Sequence, residues 1–321
     1  MNLMQRFGML AALATAAGVV AAQGFPVQPV TIVVPFPAGG IADSSVRLIA
    51  AKVAESTGQQ VLVDNRAGAG GQIGASAVKS AKADGYTLFL ANIGTHAINR
   101  SLYAKLGYDP VKDFEPVTQL LSWTHVLVVP QDSKAKSVAD LVAQAKANPG
   151  KMTFASQGVG SGGHLLGEML KSAAGIDASH VPYRGSAQVM QDLVAGRVDF
   201  FFDGVGIAPF VKEGKVRALA VADGKRMPQL PDVPTLAESG YPNIEMSAWF
   251  GLVVPAGTVM PVIAKLHQEF VKAGKDADVV RRLGEIGIRV VTNKPEEFAA
   301  FMAAETERLG KVVRASGSRA D

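Results

Sequence analysis

Cysteine is absent from the 321 residues, and that absence excludes disulfide staples, zinc–thiolate centres and thiol nucleophiles. Core packing must hold the fold. Charge of one sign is scarce as well: 32 lysines and arginines against 28 acidic residues leave +4, scattered rather than gathered into the basic stripe of a nucleic-acid binder. No charge block or biased tract interrupts the chain before residues 316–321, so no segment reads as disordered. His96, His125, His164, His180 and His267 show no metal-binding spacing such as H-E-x-x-H, and neither metal nor cofactor is expected. What is present is 48% apolar and 19% charged residues, a globular composition long enough for two domains of ordinary size.

Long apolar runs are also missing after the N-terminus, where nothing approaches the ~18 residues of a membrane-spanning helix. The N-terminus itself differs. Within residues 1–22 Arg6 is the only charge, Phe7 to Val20 is largely apolar, and Val20-Ala21-Ala22 offers small residues to a signal peptidase. The expectation is a signal peptide over 1–22, cleaved before Gln23, and a periplasmic address. The mature charge is then +3, since only Arg6 is lost.

The stretch Val30 to Val53, VTIVVPFPAGGIADSSVRLIAAKV, organises the rest of the chain. Val30, Ile32, Val33 and Val34 have the length and β-branching of a buried strand. Pro35 to Ala42 is a loop. Asp43 then reads as the N-cap of a helix whose Val46, Ile49, Ala50 and Val53 recur at i, i+3, i+4 and i+7. Such a helix start presents free N–H groups and the positive end of a macrodipole, and holds an anion without a cationic side chain. The plan repeats at Val61 to Val78 and again from Tyr86 to Leu102. Repeated strand–loop–helix units imply parallel strands with their loops along one sheet edge, where a functional crevice lies.

Two look-alike strands, Trp123 to Pro130 and Trp249 to Pro255, share an LVVP ending. Between them the chain builds a second α/β set: a helix from Ser137, a strand at Met152 to Ala155, the loop Ser156 to His164, a strand at His180-Val181, a helix capped by Ser186, and a strand at Val198 to Phe202 running into Asp203. Helices return after residue 260. The expected division is 23–123 plus 247–321 as domain 1 and 124–246 as domain 2, with two crossovers as a hinge.

Gly158-Val159-Gly160-Ser161-Gly162-Gly163 satisfies G-x-G-x-x-G, but Tyr183 and Arg184 stand where a dinucleotide fold needs an acid for the ribose. G-x-S-x-G is absent around Ser161. A hydrolase or other enzyme working in an interdomain cleft stays open as the alternative. The leading expectation is recognition without reaction, in which glycine loops from two domains close on a small anion. Arg184 is the cation best placed for a carboxylate, with an ion pair inside domain 2 as its other reading. Asp43 and Asp203 would repel a carboxylate, so they hold loops or meet a hydroxyl, amine or ordered water of the ligand. Phe36, Trp123 and Trp249 wall the cleft or fill a core.

VTIVVPFPAGGIAD, VLVDNRAGAGGQIGA, DGYTLFLAN, NRSLYAKLGYDPVKDFEPV, VPYRGSAQVMQDLVAGRVDFFFD and LPDVPTLAESGYP strongly resemble the substrate-binding proteins of tripartite tricarboxylate transporters, the Bug or TctC family. The resemblance covers the whole mature chain and implies a two-domain α/β periplasmic solute-binding fold of type II-like plan. Each domain is then a mixed sheet flanked by helices, with a two-strand hinge and an interdomain cleft. It implies a monomeric receptor, without catalysis, that binds a small organic carboxylate and delivers it to membrane permease subunits, with no nucleic-acid partner. Carried onto this sequence, the family's ligand contacts fall on Phe36, Ala38, Gly39, Gly40 and Asp43, and on Gly94, Thr95 and His96. The facing elements supply Ser156, Gly158, Gly160, Ser161, Gly163, Tyr183, Arg184, Gly185 and Asp203.

Overall fold

The computed structural model describes residues 24–317 and 319–320; the expected signal peptide lies outside the described residues. The first strand, β1 (Val30–Val34), is followed by α1 (Ile41–Thr57), β2 (Val61–Asn65), α2 (Gln72–Lys79) and β3 (Thr87–Asn92). Val46, Ile49, Ala50 and Val53 of α1 are all buried, as their spacing requires. A wide, π-helical turn at Gly94–Ile98 leads into α3 (Asn99–Leu102) and then β4 (Phe114–Thr124). Strands β1, β2 and β3 are parallel, which places the loops at their carboxyl ends on one edge.

Thr124 still pairs with Ser247 in this first sheet, and one residue, His125, separates it from β5 (Val126–Pro130) of the second. There the chain forms α4 (Val138–Ala147), β6 (Met152–Ser156), α5 (Gly162–Ala174), β7 (Ala178–Pro182), α6 (Ser186–Val194), β8 (Phe200–Asp203), α7 (Ile207–Lys212) and β9 (Val216–Val221). It rejoins the first sheet as β10 (Ser247–Pro255) and ends with α8 (Met260–Gly274), α9 (Ala277–Glu285), β11 (Arg289–Val290) and α10 (Pro295–Ser316). The result is a mixed sheet of order β11-β4-β10-β3-β1-β2 and a second of order β7-β6-β8-β5-β9. The two LVVP runs thus end in different sheets. Expected as one strand, Trp123 to Pro130 is split at His125 between β4 and β5.

The crossovers are laced together. The Ala222 N–H donates to His125 O at 2.8 Å, the Met246 N–H donates to Ala222 O at 3.0 Å, and His125 Nδ1 lies 3.3 Å from Met246 O. One buried cluster runs through both sheets, including Val33, Phe89 and Trp249 from the first and Leu127, Phe154 and Phe200 from the second. Trp249 is a core residue, set edge-on against Phe298 at 5.5 Å between ring centroids. Gly251 lies beneath the same Phe298 ring, and a methyl group there would overlap it. Gly251→Ala is therefore expected to lower stability by ~1–3 kcal/mol through overpacking. Urea unfolding checks this, and an unchanged midpoint would mean the contact is loose.

Candidate functional site

From Val34 the chain enters a loop that is exposed from Pro37 through Ile41. Gly39 sits at φ +80°, in the left-handed region that L side chains avoid. Helix α1 starts from Gly40 with no side-chain cap, so the amides of Ile41, Ala42 and Asp43 have no intrahelical acceptor and face the loop with the dipole's positive end.

Asp43 is not the N-cap its position suggested. It is a buried residue inside the first turn; its Oδ2 accepts from the Gly39 N–H at 2.9 Å and its Oδ1 from Arg47 Nε at 2.9 Å. The Arg47 hydrogen bond, against the opposing effect of burial, holds the carboxyl below its ordinary range. Arg47 also donates to Asn65 Oδ1 at 3.1 Å, and Asn65 Nδ2 donates to Phe36 O at 3.1 Å. The carboxylate is thus committed to shaping the loop.

The Gly94-Thr95-His96 segment turns inward, contrary to expectation. Asn92 Oδ1 accepts from both the Gly94 and Thr95 amides at 2.9 and 3.1 Å, and the Thr95 hydroxyl is 3.0 Å from His96 Nδ1. His96 is buried with its ring 5.0 Å from Phe114 and 5.7 Å from Phe89, and burial drives its pKa down to about 3. It is a core histidine whose apolar surroundings the sequence spacing did not reveal.

The glycine loop after β6 is likewise largely bonded within itself. Ser156 Oγ accepts from the Gly158 N–H at 3.1 Å and donates to Gly158 O at 3.0 Å, and the Gly160 N–H donates to His164 Nδ1 at 3.1 Å. Ser161 caps α5 by accepting from the His164 N–H at 3.3 Å. At Gly160 and Gly163 bulk is excluded by close neighbours, Leu102 in one case and Gln157 with Phe202 O in the other. Packing at these two positions admits no side chain. Ser156 Oγ also lies 2.6 Å from His180 Nε2, whose ring stacks on His164 at 4.0 Å. This pair does not resemble an activated nucleophile: Ser156 is fully buried, and burial lowers the His180 pKa to about 4, too weak for a general base at neutral pH.

At the carboxyl end of β7 the Tyr183 hydroxyl donates to Asp192 Oδ2 at 2.7 Å. Arg184 is exposed and makes no ion pair or hydrogen bond among the described residues. Gly185, with open space where a side chain would stand, begins α6. Ser186 is the first helical residue rather than the cap, and its hydroxyl donates to Asp203 Oδ1 at 3.1 Å. The same oxygen accepts from Gln157 Nε2 at 3.2 Å and the Gly204 N–H at 2.9 Å. Burial outweighs these donors and pushes the Asp203 pKa up to about 6.

The two loop edges adjoin. Phe36 lies 5.6 Å from Phe250, which meets Trp123 edge-on at 4.7 Å, and Trp123 closes against Gly204. Phe36, Trp123 and Val205 pack on the same cluster, while Gly160 packs on Ile98 and Leu102. An aromatic floor therefore runs from the α1 loop to the loop after β8. Of the predicted residues, the structure leaves Phe36, Ala38, Gly39, Gly40, Gly94, Gly158, Ser161, Tyr183, Arg184 and Gly185 at least partly accessible, and sets Asp203 on the lining of a cavity. Gln157, Ser186 and Val205 were missed; each follows the end of a parallel strand, the one signal that could have found them.

A family model described as tripartite tricarboxylate transporter family receptor matches residues 45–318. The chain belongs to that family. A UPF0065 protein in the tcbD-tcbE intergenic region of Pseudomonas sp. (strain P51) is 43% identical over 291 residues, which is 90% of this chain and 86% of the relative. Among solved structures, R. palustris Rpa4515 with adipate has a TM-score of 0.84 and 37% identity, covering 91% of this chain and 98% of that one. MatC (Rpa3494) from Rhodopseudomonas palustris with bound malate has a TM-score of 0.81 and 35% identity, covering 90% and 100%. The resemblance read from the sequence motifs is borne out, and the fold is the two-domain α/β plan of this receptor family.

The buried titratable groups give a pH dependence of two opposing signs. Burial lowers the folded pKa of His96, His125 and His180 to between about 3 and about 4, so below pH ~6.5 the unfolded chain binds protons the fold refuses and stability falls. The raised Asp203 value acts oppositely, with a contribution present at low pH and lost as pH rises through about 6. The unfolding free energy from urea titration is expected to drop from pH ~7 to ~5, and to drop by ~1 kcal/mol more in Asp203→Asn. Equal drops in both proteins would contradict the Asp203 assignment.

Proposed function

We propose that the protein is an exported periplasmic receptor that binds a small organic carboxylate between its lobes and hands it to the membrane permease of a tripartite tricarboxylate-type transporter. The lobes are residues 23–123 with 247–321 and residues 124–246, hinged at the laced crossovers. The observation that carries the reading is the uncapped start of α1 on an exposed loop, joined by an aromatic floor to a second loop edge that bears the exposed Arg184. Backbone amides and one guanidinium fork suit a carboxylate. Family membership and the adipate- and malate-bound relatives support the same ligand class. Export rests on the N-terminal sequence pattern.

A thermal-shift screen of organic acids tests the reading: a true ligand at ~100 times its dissociation constant adds ~2.7 kcal/mol of stability. It is recovered chemically unchanged. Conversion to a product would establish the enzyme alternative instead.

Gly40 adopts φ −78°, ψ 174°, a conformation open to any residue, and a side chain there has room, with Pro37 O 3.5 Å from its first carbon. Gly40→Val is expected to weaken carboxylate binding by screening the first-turn amides, by more than the ~1 kcal/mol of apo stability that Val costs as a poorer N-cap than Gly. An equal loss in both measurements would assign Gly40 to folding. Arg184→Ala should lose ~1–3 kcal/mol of affinity, the worth of a hydrogen bond to a charged group, and unaltered affinity in calorimetry would remove Arg184 from the site.

A further inference from the structure

Beside the loop edge, α6 and α7 frame a cavity of about 650 Å³. Ala187, Met190, Val194, Val205, Ile207 and Phe210 give it an apolar wall, and Asp203 and Lys215 are the charged residues on its lining. Lys215 is paired with Glu213 at 2.6 Å. No charged side chain among the described residues pairs with Asp203, whose partners are the neutral donors of Gln157, Ser186 and Gly204.

All three donors converge on Oδ1. Oδ2 accepts no hydrogen bond among the described residues, yet it is not among the sealed, partnerless polar atoms, which are Ser45 Oγ, His96 Nε2, Gln157 Oε1 and Trp249 Nε1. Oδ2 therefore keeps some exposure, and Asp203 is among the residues lining the cavity. Asp203 is 6% exposed, so this is a buried carboxyl oxygen, oriented by three bonds to its twin, with an unmet need for a donor. A ligand carboxylate would meet it as a like charge in a water-poor site. A ligand N–H or O–H would complete it.

Building on the receptor reading, we infer that the ligand is an acid whose far end carries a hydrogen-bond donor, an ammonium, hydroxyl or amide group beside an apolar body, and that Asp203 Oδ2 selects for this donor while the α6–α7 cavity takes the apolar part. Arg184 and the α1 amides hold the single carboxylate. Asp203 thereby discriminates against a second carboxylate at that end. A site built to receive a donor rejects analogues lacking one more sharply than an apolar pocket rejects a missing methylene.

Calorimetric titration of the full mature chain at neutral pH with a matched series of straight-chain acids ending in methyl, hydroxyl, ammonium or carboxylate tests the inference. The hydroxyl- and ammonium-ended acids are expected to bind at least ~10-fold tighter than the methyl- and carboxylate-ended ones. Asp203→Asn, whose amide oxygen stays with the three donors and whose NH2 replaces the ligand-facing Oδ2, should abolish the preference for ammonium over carboxylate. The wild-type ranking needs no variant to fold. Dicarboxylates that bind as tightly as the donor-ended acids, or a preference that survives Asp203→Asn, would overturn the inference and leave the receptor reading intact. Failure of every acid in the series to bind would end both.

Discussion

The structure depends on a helix start left open. Gly40 offers α1 no side-chain oxygen, and the acidic side chain that could compete for the amides is turned away: Asp43 reaches back to Gly39 and across to Arg47. Arg47 and Asn65 extend the restraint to the Phe36 carbonyl. The loop is thus held rigid by one carboxylate whose charge is offset by its own helix neighbour. Glycine in place of a Ser or Asp cap costs only a few tenths of a kcal/mol while water reaches the amides. A small sacrifice in helix stability leaves the first-turn amides open, as the proposed anion site requires.

Preorganisation on the opposite edge is achieved differently. The loop after β6 is tied by Ser156, His164 and His180 into a form in which its glycines fit under Leu102, Gln157 and Phe202. That loop is therefore fixed in shape by its own bonds and packing. Charge enters from the neighbouring turn through Arg184, and an acceptor through Asp203. Between the edges, the Phe36–Phe250–Trp123 row supplies a dry floor on which electrostatic contacts strengthen. The lacing of His125, Ala222 and Met246 keeps both crossovers in one narrow strip, the geometry a hinge requires.

Much of this was legible in the sequence because strand–loop–helix units carry their own punctuation. Val30 to Val53, the family motifs and the paired crossovers all stand out by periodicity and spacing. What escaped has identifiable causes. The long strand β4 contains Pro116, a residue that argues against an interior strand; it is accommodated where the pairing with β10 shifts register. Strand β9 includes Arg217, whose guanidinium is consumed by the carbonyls of Gln131, Ser133 and Ala135. Asp43 and Ser186 read as caps because residue type is local, whereas their partners Arg47 and Asp203 are set by the turn of a helix and by another strand. His96 was carried over as a ligand contact with the family motif, and only the packing of Phe89 and Phe114 shows that it points into the core.

The central claim is that the first-turn amides of α1 hold the ligand's anionic group. Nitrogen-15 NMR of the backbone during titration with a bound organic acid addresses it residue by residue. The amides of Ile41, Ala42 and Asp43 should shift and gain protection from exchange, while those of Gly158 and Gly160, already bonded within their loop, should move less. Unperturbed α1 amides, with the large shifts gathered instead at Gly158 and Gly160, would contradict the account.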